Sequence, residues 1–183
     1  FPGVTAKNNP GFGQVHQEIM KQYDKMMSIL ILAHDKAEFK NKISIDKKGN
    51  TVVDYSLNMQ TKNALIKALQ EATKIFFAAG CEKVMVPAVN KLPLIKSDLN
   101  NIENLIHIKN LNLYKTPLSS AHPQGGARMG KGDSDSVCDR YGKVHGTNSI
   151  YVCDASLFPT SVKVNPYETI MLLAKWVAEN IKV

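Results

Sequence analysis

Three residue groups between Ser119 and Ile170 have the chemistry for a site. The first is His122 in S-S-A-H-P-Q-G-G-A-R-M-G. An imidazole can take a hydroxyl proton near neutral pH. Pro123 fixes the chain direction after it, and Gly125-Gly126 allows close backbone approach to something flat or bulky. A turn with an incidental histidine fits the same residues. The second is Asp154, an acid closing the apolar run Ile150–Cys153 and followed by the small residues Ala155 and Ser156. An acid at a strand's carboxyl end can accept hydrogen bonds from ligand hydroxyls; a turn or cap Asp is the plainer alternative. The third is Asn165-Pro166, leading into an apolar helix from Tyr167 to Ile181. Pro suits the first helical position, and Asn165 could be a helix cap and nothing more. The amides of that helix start form a positive pole, able to stabilise an electron-accepting group as it becomes anionic.

The elements that must position these residues read as follows. Residues 1–13 are rich in Gly, Pro and Asn and read as loop. Gln14–Met26 has helical spacing through Val15, Ile19, Tyr23 and Met26. Ser28–Ala33 is a buried strand or the end of that helix, with His34 after it as a structural histidine. Lys42–Asp46 and Thr51–Leu57 alternate around Lys47-Lys48-Gly49-Asn50 and form a hairpin. Asn58 caps a helix from Met59 to Ala79, with Ala64, Leu65, Ala68, Leu69, Ala72, Ile75 and Phe76 on its inward stripe and Gly80 as its stop. Lys83–Pro87 reads as a strand. Ser97 caps a helix over Asp98 to about Ile108, on which His107 is a surface or satisfied helix residue rather than a ligand. His145 sits in a hairpin or loop. The last helix, apolar at Ile170, Met171, Leu173, Ala174, Val177 and Ala178, is expected to be buried. The hairpin and the lack of a βαβ rhythm give an α+β class, an antiparallel sheet covered by helices.

Composition narrows the function. The chain has 183 residues, enough for one domain or slightly more, and its hydrophobic fraction of 44% is that of a globular chain. It begins with Phe1, so a piece of a longer protein is expected and targeting cannot be read. The net charge of +7 comes from scattered lysines, with Arg only at 128 and 140. Nucleic-acid binding would require clustered basic residues interleaved with aromatics, so no nucleic-acid partner is expected. Cys81, Cys138 and Cys153 lack C-x-x-C spacing, which argues against zinc and suits buried thiols in a reducing, cytoplasmic setting. No G-x-G-x-x-G follows a strand, so the chain carries no dinucleotide fingerprint of its own.

H-P-Q-G-G-A-R-M-G, I-Y-V-C-D-A-S-L-F-P and V-N-P-Y-E-T-I, in that order, resemble the C-terminal part of glucose–methanol–choline (GMC) oxidoreductases. These are FAD-dependent alcohol oxidases and dehydrogenases. The Asn of V-N-P is similar to the cholesterol oxidase and long-chain alcohol oxidase branches, and the upstream I-S-I-D-K-K-G-N-T-V-V-D-Y-S-L and F-F-A-A-G are similar to the long-chain alcohol oxidase group. The resemblance implies that His122 meets the substrate hydroxyl and assists its deprotonation, with Asn165 hydrogen-bonding the same oxygen. Asp154, with Ala155, would approach the ribityl or diphosphate region of FAD. Asn165, Pro166 and Tyr167 would face the flavin pyrimidine edge. Residues 1–136 would be the substrate domain. Residues 137–183 would complete a discontinuous FAD-binding domain whose N-terminal part lies outside this chain and is its expected partner. The implied reaction oxidises the CH–OH group of an apolar alcohol by hydride transfer to flavin, with oxygen or another carrier reoxidising it. The chain alone is expected to hold no FAD and to be inactive. The rival is a non-catalytic interaction domain that keeps the family shape.

Overall fold

The computed structural model describes residues 2–9, 11–87, 89, 91–111, 116–132 and 134–181. In chain order it contains α1 (Pro2–Asn8), α2 (Gly13–Met20), β1 (Lys42–Ile45), β2 (Thr51–Asp54), α3 (Met59–Ala78), α4 (Ile102–Leu105) and α5 (Tyr167–Asn180), with short 3₁₀ turns between them. The class is α+β, with a small two-stranded antiparallel sheet. The chain folds as two compact units, Phe1–Ala33 with Asn58–Ser119, and His34–Leu57 with Ser120–Val183.

The first unit is organised by α3. Asn58 caps it as expected, its Oδ1 accepting from the Thr61 amide at 2.8 Å. Gly80, at φ 91°, turns the chain off its end. The inward face overlaps the expected stripe, with Ala72 buried and Leu69 and Phe76 packed against the core, but is wider. Ile66, Gln70, Thr73 and Phe77 are buried at helical spacing, while Ala64 and Ile75 face out. Two polar residues can join that face because both are satisfied. The Gln70 amide donates to the Ile106 carbonyl at 2.9 Å, and the Thr73 hydroxyl to the Leu69 carbonyl at 2.8 Å. Ile66 and Phe77 pack with Val84, Val86, Leu94, Ile102 and Ile106. Full burial of a side chain such as Phe77 contributes roughly 1.5–3 kcal/mol.

Several expected elements change in this unit. Pro2–Asn8 is a helix, not a loop, with Pro at its first position where the missing amide costs nothing; Phe1 and Pro10 lie outside the described residues. The second helix stops at Met20 and passes into a 3₁₀ turn at Tyr23–Lys25. Ser28–Ala33 is neither strand nor helix, and Leu30 and Leu32 are exposed. The expected strand Lys83–Pro87 reduces to one bridge, Val84 with Leu94. The helix expected over Asp98–Ile108 breaks into a 3₁₀ turn, α4 and another 3₁₀ turn. The cap position is Ile95, whose amide donates to the Asp98 carboxylate inside the turn at 2.9 Å, and not Ser97. His107 is a satisfied surface residue, its Nδ1 accepting from the Lys109 amide.

In the second unit β1 and β2 pair Ile43 with Val53 and Ile45 with Thr51. The turn forms because Asp46 Oδ1 accepts from the amides of Lys48 and Asn50, both at 2.8 Å, with Gly49 at φ 83°. All residues of both strands are exposed. The core is separate and lies around Cys138, Leu157 and Val177, with Ala127, Met129, Val144, Tyr151, Val152 and Leu173 against it.

Candidate active site

The three segments singled out by their chemistry all belong to the second unit. The Gln124–Gly130 segment runs beside Ala155–Phe158. Amides of Gly125, Ala127 and Met129 donate to the carbonyls of Ala155, Ser156 and Leu157 at 3.1, 2.9 and 2.8 Å. The glycines serve this contact. Gly125 sits at φ 79°, and a Cβ there would lie 3.1 Å from the Phe158 carbonyl oxygen. What approaches the Gly-Gly turn closely is thus the chain's own backbone. Cys138 pairs with both Met129 and Val144, which ties the 137–144 segment beside the first.

The expected strand Ile150–Cys153 is absent as a strand. Its backbone pairs briefly with residues 142–144, through Val152 to Gly142 at 2.8 Å and Val144 to Ile150 at 2.9 Å. Asp154 then caps a 3₁₀ turn over Ala155–Leu157. Its Oδ1 accepts from the Ser156 amide at 2.8 Å and from the Ser156 hydroxyl. These bonds, the hydroxyl foremost, hold its carboxyl below the ordinary value. The group is exposed and ionised at neutral pH, and Oδ2 accepts nothing among the described residues. Cap and ligand acceptor are therefore compatible roles for Asp154. Ala155, half-buried, lends its carbonyl to Gly125.

Asn165 is exposed and caps nothing. Pro166, buried, occupies the cap position of α5, where no side chain bonds the helix amides. The first intrahelical bond runs from Ile170 to the Pro166 carbonyl at 2.9 Å. The amides of Tyr167, Glu168 and Thr169 consequently have no helical partner. α5 itself is only partly buried. Val177 is 1% exposed, but Tyr167, Met171, Leu172 and Trp176 all face outward. The sequence's apolar spacing alone cannot tell a buried helix from one with an uncovered second face.

His122 is half-buried and its ring makes no hydrogen bond among the described residues. No hydrogen bond joins it to Asn165; the two are linked through the chain. Gln124, two residues after His122, accepts from the Val162 amide at 3.3 Å, three residues before Asn165. That link was not legible in sequence. Nor was Lys163, the one non-glycine among the described residues with positive φ, at 64°. His145 takes the expected loop role. Its Nε2 lies 2.9 Å from Ser136 Oγ, whose hydroxyl points to the Gly132 carbonyl.

These groups fit the flavin cofactor that the motif resemblance implies. The free amides at the start of α5 suit an electron-rich ring edge. Asp154 Oδ2 suits a hydroxyl of a ribityl chain. The side chains of His122 and Asn165 make no hydrogen bond among the described residues.

Comparison with known proteins gives the same direction. The family model for GMC oxidoreductase, C-terminal region, matches residues 40–174. A long-chain-alcohol oxidase of Arabidopsis thaliana is 27% identical over 173 residues, covering 88% of this chain and 22% of the relative. An uncharacterized GMC-type oxidoreductase of Mycobacterium tuberculosis is 27% identical over 178 residues, covering 97% of this chain and 27% of the relative. A dehydrogenase of Strobilurus tenacellus is 45% identical over 64 residues, covering 35% of this chain and 10% of the relative. The chain thus spans about a quarter of the length of the relatives it matches over most of its own length. With the match covering most of its residues, this chain belongs to the GMC oxidoreductase family and carries that family's C-terminal domain.

Proposed function

We propose that this chain is the C-terminal part of an FAD-dependent alcohol oxidase or dehydrogenase that oxidises the CH–OH group of an apolar alcohol. The observation that carries the reading is the arrangement within one unit. The His122 segment is hydrogen-bonded to the Ala155–Leu157 turn and, through Gln124, to the loop before Asn165. FAD, when bound, supplies the acceptor for the hydride on the alcohol carbon.

His122 takes or shares the hydroxyl proton as the C–H bond weakens, because an alcohol releases hydride readily only as that proton leaves. Asn165 orients the same oxygen by hydrogen bonding and cannot serve as a base. Asp154, with Ala155 beside it, receives a ribityl hydroxyl, and the amides around Asn165, Pro166 and Tyr167 stabilise charge at the pyrimidine edge. Residues 1–136 form the substrate-binding part and 137–183 complete the flavin-binding part. The partner that supplies the rest of the flavin site is the N-terminal portion of the same protein, and oxygen or another carrier reoxidises the flavin.

The preference for an apolar alcohol rests on likeness to long-chain-alcohol oxidases. Of the apolar side chains in the 1–136 part, Leu30 is 83% exposed and open to an apolar substrate, whereas Leu94 is core at 1% exposure. The interaction-domain reading gains one observation, the uncovered apolar side chains Met171 and Leu172 on α5. Under the catalytic reading the flavin-binding portion covers them.

The experiment is anaerobic mixing of the flavin-loaded protein that contains this chain with alcohols of graded length. Flavin bleaching by long-chain or ring alcohols, faster than by glucose or choline, is the expected result. A flavin that none of these alcohols reduces leaves the interaction domain standing.

A further inference from the structure

The turn Ser161–Asn165 departs from the rest of the second unit in one respect. Lys163 sits at φ 64°, a region where a side chain with Cβ is strained and which glycine normally fills. Such outliers persist only where the surroundings over-determine them. Two bonds hold this one. The Lys163 amide donates to Ser161 Oγ at 3.3 Å, within the turn itself. The Val162 amide donates to Gln124 Oε1 at 3.3 Å, and Gln124 is 38 residues away in sequence. The donor is a backbone N–H, so the side-chain oxygen of Gln124 must face it.

Gln124 is therefore the group that ties the turn to the His122 segment. Its next residue, Gly125, is fixed to Ala155 at 3.1 Å and packs under Phe158, which is 2% exposed. One end of the Gln124 link is thus anchored on the unit's core. The other end is a strained turn that opens on Asn165, a residue with no hydrogen bond of its own among the described residues. Among the described residues no other hydrogen bond joins the Ser161–Asn165 turn to the His122 segment.

We infer that Gln124 is a positioning residue, fixing the Ser161–Asn165 turn so that Asn165 shares the alcohol oxygen with His122. This rests on the proposed alcohol oxidation for its catalytic half, and on the structure alone for the hydrogen bond.

The test uses Gln124→Met, which keeps bulk and loses the acceptor, and Gln124→Glu, which keeps the acceptor. In the 183-residue chain, amide hydrogen exchange at Val162 should quicken about 2- to 10-fold in Gln124→Met, the range one net hydrogen bond supports. It should return to the wild-type rate in Gln124→Glu, with the α5 amides around Val177 unchanged in both as the check on folding of this unit. In the flavin-loaded protein, Gln124→Met should lower the rate of flavin reduction with KM for the alcohol unchanged, the pattern of an interaction made only in the transition state. Gln124→Glu should recover it. Unchanged exchange at Val162 overturns the inference whatever the activity. Faster exchange with undiminished flavin reduction, in a protein that His122→Ala does impair, removes the positioning role. A wild-type flavoprotein that no alcohol reduces overturns the functional reading instead, and the exchange result then decides the Gln124 bond by itself.

Discussion

Gly142 is where α5 meets the segments that carry the site, and replacing it with alanine should be severe. The residue is buried at φ 78°. A Cβ there would lie 2.5 Å from the Val152 carbonyl oxygen and 2.7 Å from a methyl of Val177. The first neighbour is backbone and the second belongs to a side chain 1% exposed, so neither can give way cheaply. The left-handed conformation costs about 1–2 kcal/mol for a residue with Cβ. Overpacking adds about 1–3 kcal/mol. The sum, roughly 2–5 kcal/mol, is a large share of the 5–15 kcal/mol typical of a native fold. Trp176, the only tryptophan, reports on the effect directly. Its indole donates to the Arg140 carbonyl at 3.0 Å and stacks on Tyr141, next to Gly142. In urea, with a slope of about 1–3 kcal/mol per molar, the Trp176 fluorescence midpoint should fall by at least ~0.7 M. Gly132→Ala is the control, since a Cβ there meets nothing within 4 Å. It should stay within about 0.5 kcal/mol of wild type. If Gly142→Ala unfolds with the control, the packing of α5 on this segment is wrong.

Asn58→Ala removes the cap of α3 and should destabilise the first unit by about 1 kcal/mol, read as a lower midpoint in far-UV circular dichroism; an unchanged midpoint would count against the cap. Cys153 is exposed, whereas Cys138 is fully buried, with burial and then the charges of Asp139 and Asp154 raising its thiol's pKa. A thiol reagent should label Cys153 at once and Cys138 only on unfolding, and rapid labelling of Cys138 in the native chain would contradict the core. Asp154 has its folded-state pKa depressed, so its contribution is present above the unfolded value and lost as pH falls through the folded one. Asp154→Asn, which still caps but carries no charge, should lose that small contribution at neutral pH and so flatten the loss of stability below about pH 4; identical acid limbs would refute this.

What the sequence made legible were features written in local chemistry. The Asn58 cap, the Asp46 turn with its hairpin and the start of α5 at Tyr167 each depend on residues within a few positions of one another. The face of α3 was legible in part, at Leu69, Ala72 and Phe76, but apolar periodicity does not count Gln70 and Thr73, polar residues that become buried once Ile106 and Leu69 satisfy them. The apolar runs of Ser28–Ala33, read as a buried strand or a helix end, and of Ile150–Cys153, read as a strand, do not make strands, because a strand exists only where a neighbour pairs with it. The second of these has two backbone bonds to residues 142–144 and the first has no regular structure. In the site, His122, Asp154 and Asn165 stood out by residue type and motif. Gln124 and Lys163 did not. A bond across 38 residues and a left-handed lysine in S-V-K-V leave no local mark.

The most direct test is stopped-flow flavin reduction by a long-chain alcohol in the flavin-loaded protein, comparing wild type with His122→Ala. The account makes His122 the base, so the substitution should slow reduction about 10²–10⁴-fold, the span of general acid–base catalysis. Reduction of the His122→Ala flavin at the wild-type rate would contradict it.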